Sequence, residues 1–321
     1  MREYAFELAL CDELESEEHF LARQLGAHVH GRRIVDVVVV EPGPGFDRRA
    51  SITDGTIPPA VIDAPVGPGA AKPIKDVFPD RRPEERQRIV DRVVEADFFE
   101  RERRGGDPAV RQVCRYPEEW FDRLVGIENK PDLDRPGDLQ AQLRTDVSLG
   151  IFDEVILATS SHVTGAHRNR IPDEVGIWQF DPETSERVVL REPESLESTE
   201  PGLEILDRQP GRSDVTVVSA HEKQRARRRI AERAYGKGWR TFAFPACGQC
   251  DPEGGPDGAV PYCKWAGRIV DPASECGTDC PGHEPADPPE IDRRRRRTER
   301  SAWRADPEGR RRRQAGLDRF G

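Results

Sequence analysis

Lysine is scarce in this chain: six of its 50 basic residues are lysine and 44 are arginine, set against 60 acidic residues. An arginine-heavy, acid-rich composition is expected of a high-salt cytoplasm, although a GC-rich genome also favours arginine, so net charge is a weak guide to partners. Long apolar runs are missing as well. None reaches about 18 residues, which excludes a membrane-spanning helix as an expectation. The opening MREYAFELALCDELE flanks its short apolar run with acids and has no small-residue cleavage site. It does not read as a signal peptide, and a cytoplasmic location is expected. Cysteine is nearly absent outside one segment: Cys11 and Cys114 stand apart, and the other five lie between 247 and 280. No internal repeat is evident.

The length favours about two domains. In ESEEHFLARQL, Phe20, Leu21, Gln24 and Leu25 fall at helical spacing behind acids, predicting a helix stopped by Gly26. RRIVDVVVVEPGPG is a β-branched run closed by Pro and Gly, and reads as a buried strand. Asp36 sits inside it, a costly place for a charge. Residues 42–82 are rich in Pro, Gly and Ala and read as irregular, a helix is expected over 83–105, and AVRQVCRYP and FDRLVGIENK read as strands. Helical spacing returns in DLQAQLRTDVSLGIF, before the apolar strands EVILATSS and VGIWQF. Strand, helix, strand on this scale implies a crossover and a parallel pair, hence α/β architecture. Residues 181–213 read as a polar loop, VTVV as a short strand, and Ser219 with Glu222 as a capping box opening the helix AHEKQRARRRIAERAYGKG.

Asp36, Glu128 and Lys130 are the candidate catalytic groups. Two carboxylates on adjacent strands can share a divalent cation, since Mg²⁺ takes a few carboxylate oxygens and keeps several waters. A nearby lysine can orient or deprotonate the attacking water and offset charge developing on a phosphate. An acidic first helix, a strand bearing Asp36 (RIVDVVVV), a strand ending in Glu128-x-Lys130 (VGIENK), a helix with QAQLR and the strand EVILATSS together resemble the PD-(D/E)xK nuclease superfamily. The resemblance covers residues 10–180 at most. It implies a restriction-endonuclease-like mixed sheet flanked by helices, with Asp36 and Glu128 binding Mg²⁺ or Mn²⁺, Lys130 aiding the nucleophile and Gln142 supporting the site. The first-helix acid would be Glu17 or Glu18, and the substrate a nucleic acid, DNA ahead of RNA. Two departures stand out: about 90 residues separate the two carboxylate strands, and Val35 replaces the usual proline before Asp36. Asp122 is the alternative second carboxylate. The whole chain also resembles haloarchaeal proteins of a family with a domain of unknown function, which implies no activity.

In the C-terminal part, Cys247-x2-Cys250 and Cys276-x3-Cys280 are short chelating pairs suited to tetrahedral Zn²⁺, with Cys263 and His283 as alternate ligands. Four thiolates also suit an iron–sulfur cluster. Zinc here would be structural, folding a loop-rich segment poor in apolar residues. Clustered arginines on the 219–238 helix can contact phosphates or form a solvated face. Residues 291–321 carry a charge of +7, from 12 Arg against five acids, and leave −17 for residues 1–290. The expected organisation is a nuclease-like core over 1–180 with an insertion at about 42–118, a linker and basic helix over 181–245, a Cys-rich metal-binding segment over 246–290 and a disordered arginine-rich tail over 291–321. Two functions follow from these readings: a metal-dependent nuclease, or a non-catalytic nucleic-acid-binding or scaffold protein with a structural zinc site.

Overall fold

The computed structural model describes residues 3–209, 211–254 and 259–305. The chain starts with α1 (Glu3–Leu14), β1 (Phe20–Gly26) and β2 (Ile34–Pro42). It continues through α2 (Phe46–Ala50), α3 (Pro59–Ile62), β3 (Lys72–Pro73), α4 (Ile74–Val77), α5 (Pro83–Glu95), β4 (Phe99–Arg104) and β5 (Asp107–Gln112). Next come β6 (Phe121–Asn129), α6 (Leu139–Leu149), β7 (Glu154–Thr159), α7 (Gly165–Arg168), β8 (Gly176–Asp181), β9 (Glu186–Arg191), β10 (Gly202–Gln209), β11 (Arg212–Val218) and α8 (Ala220–Lys237). The last elements are β12 (Cys250–Asp251), β13 (Tyr262–Cys263), β14 (Arg268–Ile269), α9 (Pro272–Glu275) and α10 (Arg293–Arg300). Described residues up to Pro42 and from Phe121 to Trp303 form one compact unit, and Gly43 to Trp120 with Arg304 and Ala305 form another. Among the described residues no helix is long and apolar enough to cross a membrane.

The first unit is a mixed six-stranded sheet in the order β1-β2-β6-β7-β8-β9, flanked by helices. β1, β2 and β6 run antiparallel, β6, β7 and β8 run parallel, and β9 returns antiparallel. α6 is the crossover between β6 and β7, as the strand–helix–strand pattern requires. On one face Val37, Val39, Val125, Ile127, Ile156 and Ala158 pack with Phe6, Leu8 and Leu10 of α1. Phe6 meets Phe180 edge-on at 5.5 Å. The other face buries Val38, Val40 and Leu124. A sheet covered on both faces needs continuous apolar runs rather than alternation.

That double burial explains the first correction. Residues 15–25 are not a helix: Phe20–Gly26 is β1, and the first helix lies earlier, at Glu3–Leu14. Phe20, Leu21, Ala22 and Arg23 are all buried, so the period of two is hidden. Tyr235 of α8 closes on Phe20 edge-on at 5.4 Å. The expected helix over 83–105 stops at Glu95, because Asp97 turns the chain at φ +53°. A β4–β5 hairpin follows, closed by Gly105 and Gly106 at φ +60° and +93°. Both positions of this two-residue turn lie in the left-handed region that glycine tolerates. The polar stretch 181–213 holds β9 and β10 rather than a loop. Their pattern is masked because Val188, Val189, Leu203 and Leu206 are exposed while the charged Glu204 is buried.

In the second unit β3, β5 and β4 form a small sheet, with Val90 and Val93 of α5 buried. Arg49, fully buried, lies over the Trp120 ring and donates to the carbonyl oxygens of Thr53 and Gly55.

Residues 293–300 of the expected disordered tail form α10, and Trp303 beyond it is buried. Arg293 lies over Phe242 and Phe244, while Arg297 lies over Trp303 and donates to the Ala234 carbonyl. Planar guanidiniums that stack on rings and fork onto carbonyls act as docking groups. Residues 306–321 of that tail lie outside the described residues.

Gly126, at the centre of β6, faces Phe152 so closely that a Cβ would stand 2.7 Å from its Cδ2. Gly126→Ala is expected to lower the unfolding free energy by about 1–3 kcal/mol. Urea denaturation measures it, and an unchanged midpoint would show that Phe152 yields freely.

Candidate functional site

β2 is sandwiched between β1 and β6, with Leu25 facing Val35, Arg23 facing Val37 and Val37 facing Ile127. In this register Asp36 lies opposite both Gln24 and Glu128. Directly opposed residues on antiparallel strands hold their Cβ atoms about 4.5–5.5 Å apart. Asp122 is exposed at the other end of β6, about 20 Å along the strand. It is not the partner of Asp36.

Asp36 is half-buried and accepts the Asn129 backbone N–H at 2.9 Å and the Gln24 side-chain amide at 3.0 Å. Among the described residues no cation pairs with it.

Glu128 stands in a different environment. Arg33 donates to it and also binds Asp146 of α6, through Nε at 3.0 Å and Nη2 at 2.7 Å. Burial first, then the neighbouring Asp36, push the Glu128 carboxyl up to about 9, against the lowering pull of Arg33. Burial likewise pushes Asp146 up to about 6, with Arg33 opposing. Burial also disfavours the Arg33 charge, but Asp146 and Glu128 outweigh it and raise its pKa. The loop that carries Arg33 is pinned by the buried Glu204 of β10, which accepts the backbone N–H groups of Val29, His30 and Gly31 at 2.9, 2.7 and 3.1 Å.

The first-helix acid that reaches this cluster is Glu7. It accepts Arg23, the Gln24 amide at 2.9 Å and the Asn129 amide at 3.0 Å. Glu17 and Glu18 are instead exposed between α1 and β1. Lys130 extends the β6–β7 ladder by donating its N–H to Ala158 at 2.9 Å, and its ammonium lies 3.6 Å from Glu3. Gln142 is half-buried one turn before Asp146 on α6, and no hydrogen bond joins its side chain to Asp36 or Glu128.

The structure therefore brings Asp36 and Glu128 together, sets Lys130 at the rim beside Glu3, and leaves Gln142 a turn away. Sequence reasoning missed Glu7, Arg23, Gln24, Arg33, Asn129 and Asp146. Glu7 lies inside the apolar run YAFELAL, and Asp146 interrupts the apolar stripe Leu139, Leu143, Val147. The same signal, a charge where burial is expected, had marked Asp36.

Beyond β6 and β7, a pocket of about 250 Å³ is lined by Leu133, Leu139, Leu143, His167, Arg170 and Ile171. It opens at the carboxyl ends of two parallel strands, where open α/β sheets bind ligands.

Cys247, Cys250, Cys263, Cys276, Cys280 and His283 line a second cavity, of about 450 Å³, and all five thiols are free and half-buried. Cys250 and Cys263 are cross-strand partners, and the Glu284 N–H points to Cys247 Sγ at 3.5 Å. Burial, then Cys276, Cys247 and Cys263, push the Cys250 thiol up to about 12. Among the described residues no group of three or more His, Cys, Asp or Glu side chains stands as one able to hold a metal ion.

Some basic side chains of α8 face the protein, while Arg225 and Arg233 are exposed. Arg227 binds the Ile151 carbonyl and Asp153, Arg229 binds the His28 carbonyl, and Lys223 binds the Glu197 carbonyl.

No curated protein and no solved structure matches this chain. A family model does match over residues 20–285, and the chain belongs to that family of unknown function (DUF5787).

Proposed function

We propose that this protein is a metal-dependent phosphodiesterase acting on nucleic acid, with Asp36 at the centre of its site. The carrying observation is a half-open carboxylate without a cationic partner among the described residues, held opposite Glu128 at the strand end that leads to Lys130. The order and directions of α1, β1, β2, β6, α6 and β7 agree with the restriction-endonuclease-like core that the motif resemblance implies. The donor chemistry suits Mg²⁺ or Mn²⁺, which take one or two carboxylates and keep their waters. The unpartnered, buried Oδ1 of Asn129 beside Glu7 is a further oxygen donor without a role in the polar network. When bound, such an ion polarises a phosphate oxygen and lowers the pKa of a bound water. Asp36 contributes negative charge at the opening of the site. Lys130, at the rim, orients the attacking water and offsets charge on the phosphate. The pocket beyond β6 and β7 gives a neighbouring nucleotide an apolar floor, with Arg170 at its edge.

The test is cleavage of plasmid and single-stranded DNA, and of RNA, with Mg²⁺ or Mn²⁺ in high KCl, as the acid-rich composition recommends. Asp36→Asn and Lys130→Ala are each expected to lose about 100-fold or more, within the range for removing charge stabilisation. Cleavage unchanged in both variants would place the chemistry elsewhere.

The second reading is a non-catalytic nucleic-acid-binding or scaffold protein, and Arg33 favours it. A guanidinium bound to Glu128 and Asp146 takes the place a metal would need at Glu128. In either reading the cysteine cavity takes structural Zn²⁺, with an iron–sulfur cluster as the competing occupant.

A further inference from the structure

One tryptophan of the five stands apart. Trp120, Trp239 and Trp303 are buried and Trp178 is half-buried, whereas Trp265 is 56% exposed. It sits at the tip of the β13–β14 hairpin, in the turn 264–267. The turn is fixed at both ends. The Lys264 N–H donates to the Gln249 carbonyl at 2.9 Å, and the Gly267 N–H, at φ +65°, donates to the Cys263 carbonyl at 2.8 Å. Below the turn, Tyr262 and Ile269 pack in the same cluster as α1. The indole is therefore presented by a rigid support, which keeps the entropic cost of a contact low.

Its two faces differ. A Cβ on Gly282 would stand 2.3, 2.4 and 2.9 Å from the indole Cδ2, Cγ and Cδ1, so the five-membered ring lies face-on against Gly282 and only glycine leaves room for it. Among the described residues no aromatic ring or guanidinium covers the other face. A planar π-face, backed on one side and open on the other, suits an unpaired nucleobase, and stacking of this kind tolerates any base. Bases inside a duplex are already stacked on both sides and must leave the stack to meet it.

Lys264 adds charge beside the ring. The other five lysines each engage a carboxylate or a carbonyl oxygen. Lys264 is exposed, and its ammonium has no partner among the described residues. Arg268, across the hairpin, is engaged by Glu275. A free ammonium next to an open indole complements a strand that stacks one base and offers its phosphate. Lys264, Gly267 and Arg268 are all exposed around the ring, so it is not part of a contiguous apolar patch of the kind that docks proteins.

We infer that Trp265 is a stacking platform for an unpaired nucleobase, with Lys264 contacting the phosphate of the same strand. The inference rests on the nucleic-acid reading given above and adds that the nucleic acid has single-stranded character.

Fluorescence anisotropy of a labelled oligothymidylate of about 12 nucleotides, within the usual site size, tests it with the full chain in KCl and no added metal. A duplex and an abasic strand of equal length serve as competitors. Wild type is expected to prefer the oligothymidylate to both. Trp265→Ala and Trp265→Leu should each weaken binding about 5- to 150-fold, the range for losing one stacked base, and Trp265→Phe should weaken it less. Lys264→Ala should lower the slope of log affinity against log salt by about 0.7, the value for one single-strand phosphate contact. Trp265→Leu keeps an apolar side chain on Gly282, so its loss of binding is a loss of stacking and not of folding. Equal affinity in wild type and Trp265→Leu, or equal competition by the abasic strand, overturns the platform and leaves the nucleic-acid reading standing. Binding of no nucleic acid by wild type removes both. A strand held through Trp265 but not cleaved with Mg²⁺ or Mn²⁺ upholds the platform and selects the non-catalytic reading.

Discussion

Replacing Arg33 by methionine is expected to destabilise the first unit by about 3–5 kcal/mol at pH 8, the range for breaking a buried ion pair from one side. Glu128 and Asp146 are both buried and share this guanidinium; at pH 8 Asp146, at about 6, is ionised while Glu128, at about 9, is mostly protonated, so loss of Arg33 strands the Asp146 carboxylate and removes a donor from Glu128. The size of the effect depends on pH. Glu128 is raised from 4.5 to about 9, and Asp146 from 3.8 to about 6. A carboxyl with a raised folded pKa contributes stability that is fully present below the unfolded value and is lost as pH rises through the folded one. In wild type this contribution falls between about pH 4 and 9. Without Arg33 both carboxyls move higher still, so the variant should recover towards wild type as the pH falls to 5. Urea unfolding at pH 5 and pH 8 gives the answer: a loss below about 1 kcal/mol, or one equal at both pH values, would mean that Arg33 and Asp146 do not form a buried charge pair.

Metal removal is expected to have the second large effect. One zinc per chain should be found by elemental analysis, and chelation should release it together with amide protection across residues 246–285. Structural zinc in small domains contributes about 10–16 kcal/mol of apparent binding energy that is also folding energy. Here the loss should spread beyond the segment, because Val260, Ile269 and Tyr262 pack in the same cluster as α1. Cys250→Ser, which removes a thiol from the β12–β13 pair, should mimic chelation. The raised thiol pKa values add a pH signature. Binding to protonated thiols releases protons, so affinity should rise with pH through neutrality. Iron in place of zinc would replace the assignment with a cluster, and a metal-free chain that keeps its amide protection would remove both.

The elements that carry Asp36 and Glu128 were legible because β2 holds an apolar run, Val35–Val40, broken only by Asp36, and β6 an apolar run, Leu124–Ile127, that Glu128 closes. Their mutual register was not written locally. It depends on strand pairing across a 78-residue unit, Gly43–Trp120, that lies between them in the chain. The cysteine pairs, too, could be picked out by their spacing, and all of them line one cavity, although among the described residues they do not form a metal-holding group. Arg33 could not be found this way. It sits among arginines in GRRI, and only the fold distinguishes it from Arg32, which is exposed. The same holds for Arg227 and Arg229 of α8 and for Arg293 and Arg297 of α10, which composition presents as a basic surface and the fold spends on carbonyls, a carboxylate and aromatic rings. Gln24 was read as a helical residue. Its left-handed backbone turn is set by tertiary neighbours, Lys237 among them.

The grip of Glu204 on the loop at Val29–Gly31 has a bearing on folding order. Its three hydrogen bonds span 173 to 175 residues of chain, and the Arg33 contacts to Glu128 and Asp146 span 95 and 113. Contacts of such long range close late, because the entropy of joining distant chain segments must be overcome before they form. During synthesis β1 and β2 emerge long before the residue that fixes the turn between them. The strands of the sheet can pair early, while the charge cluster at its edge is completed only once β10 has been made and docked. A chain interrupted before residue 204 would therefore present paired strands with Arg33 still unanchored.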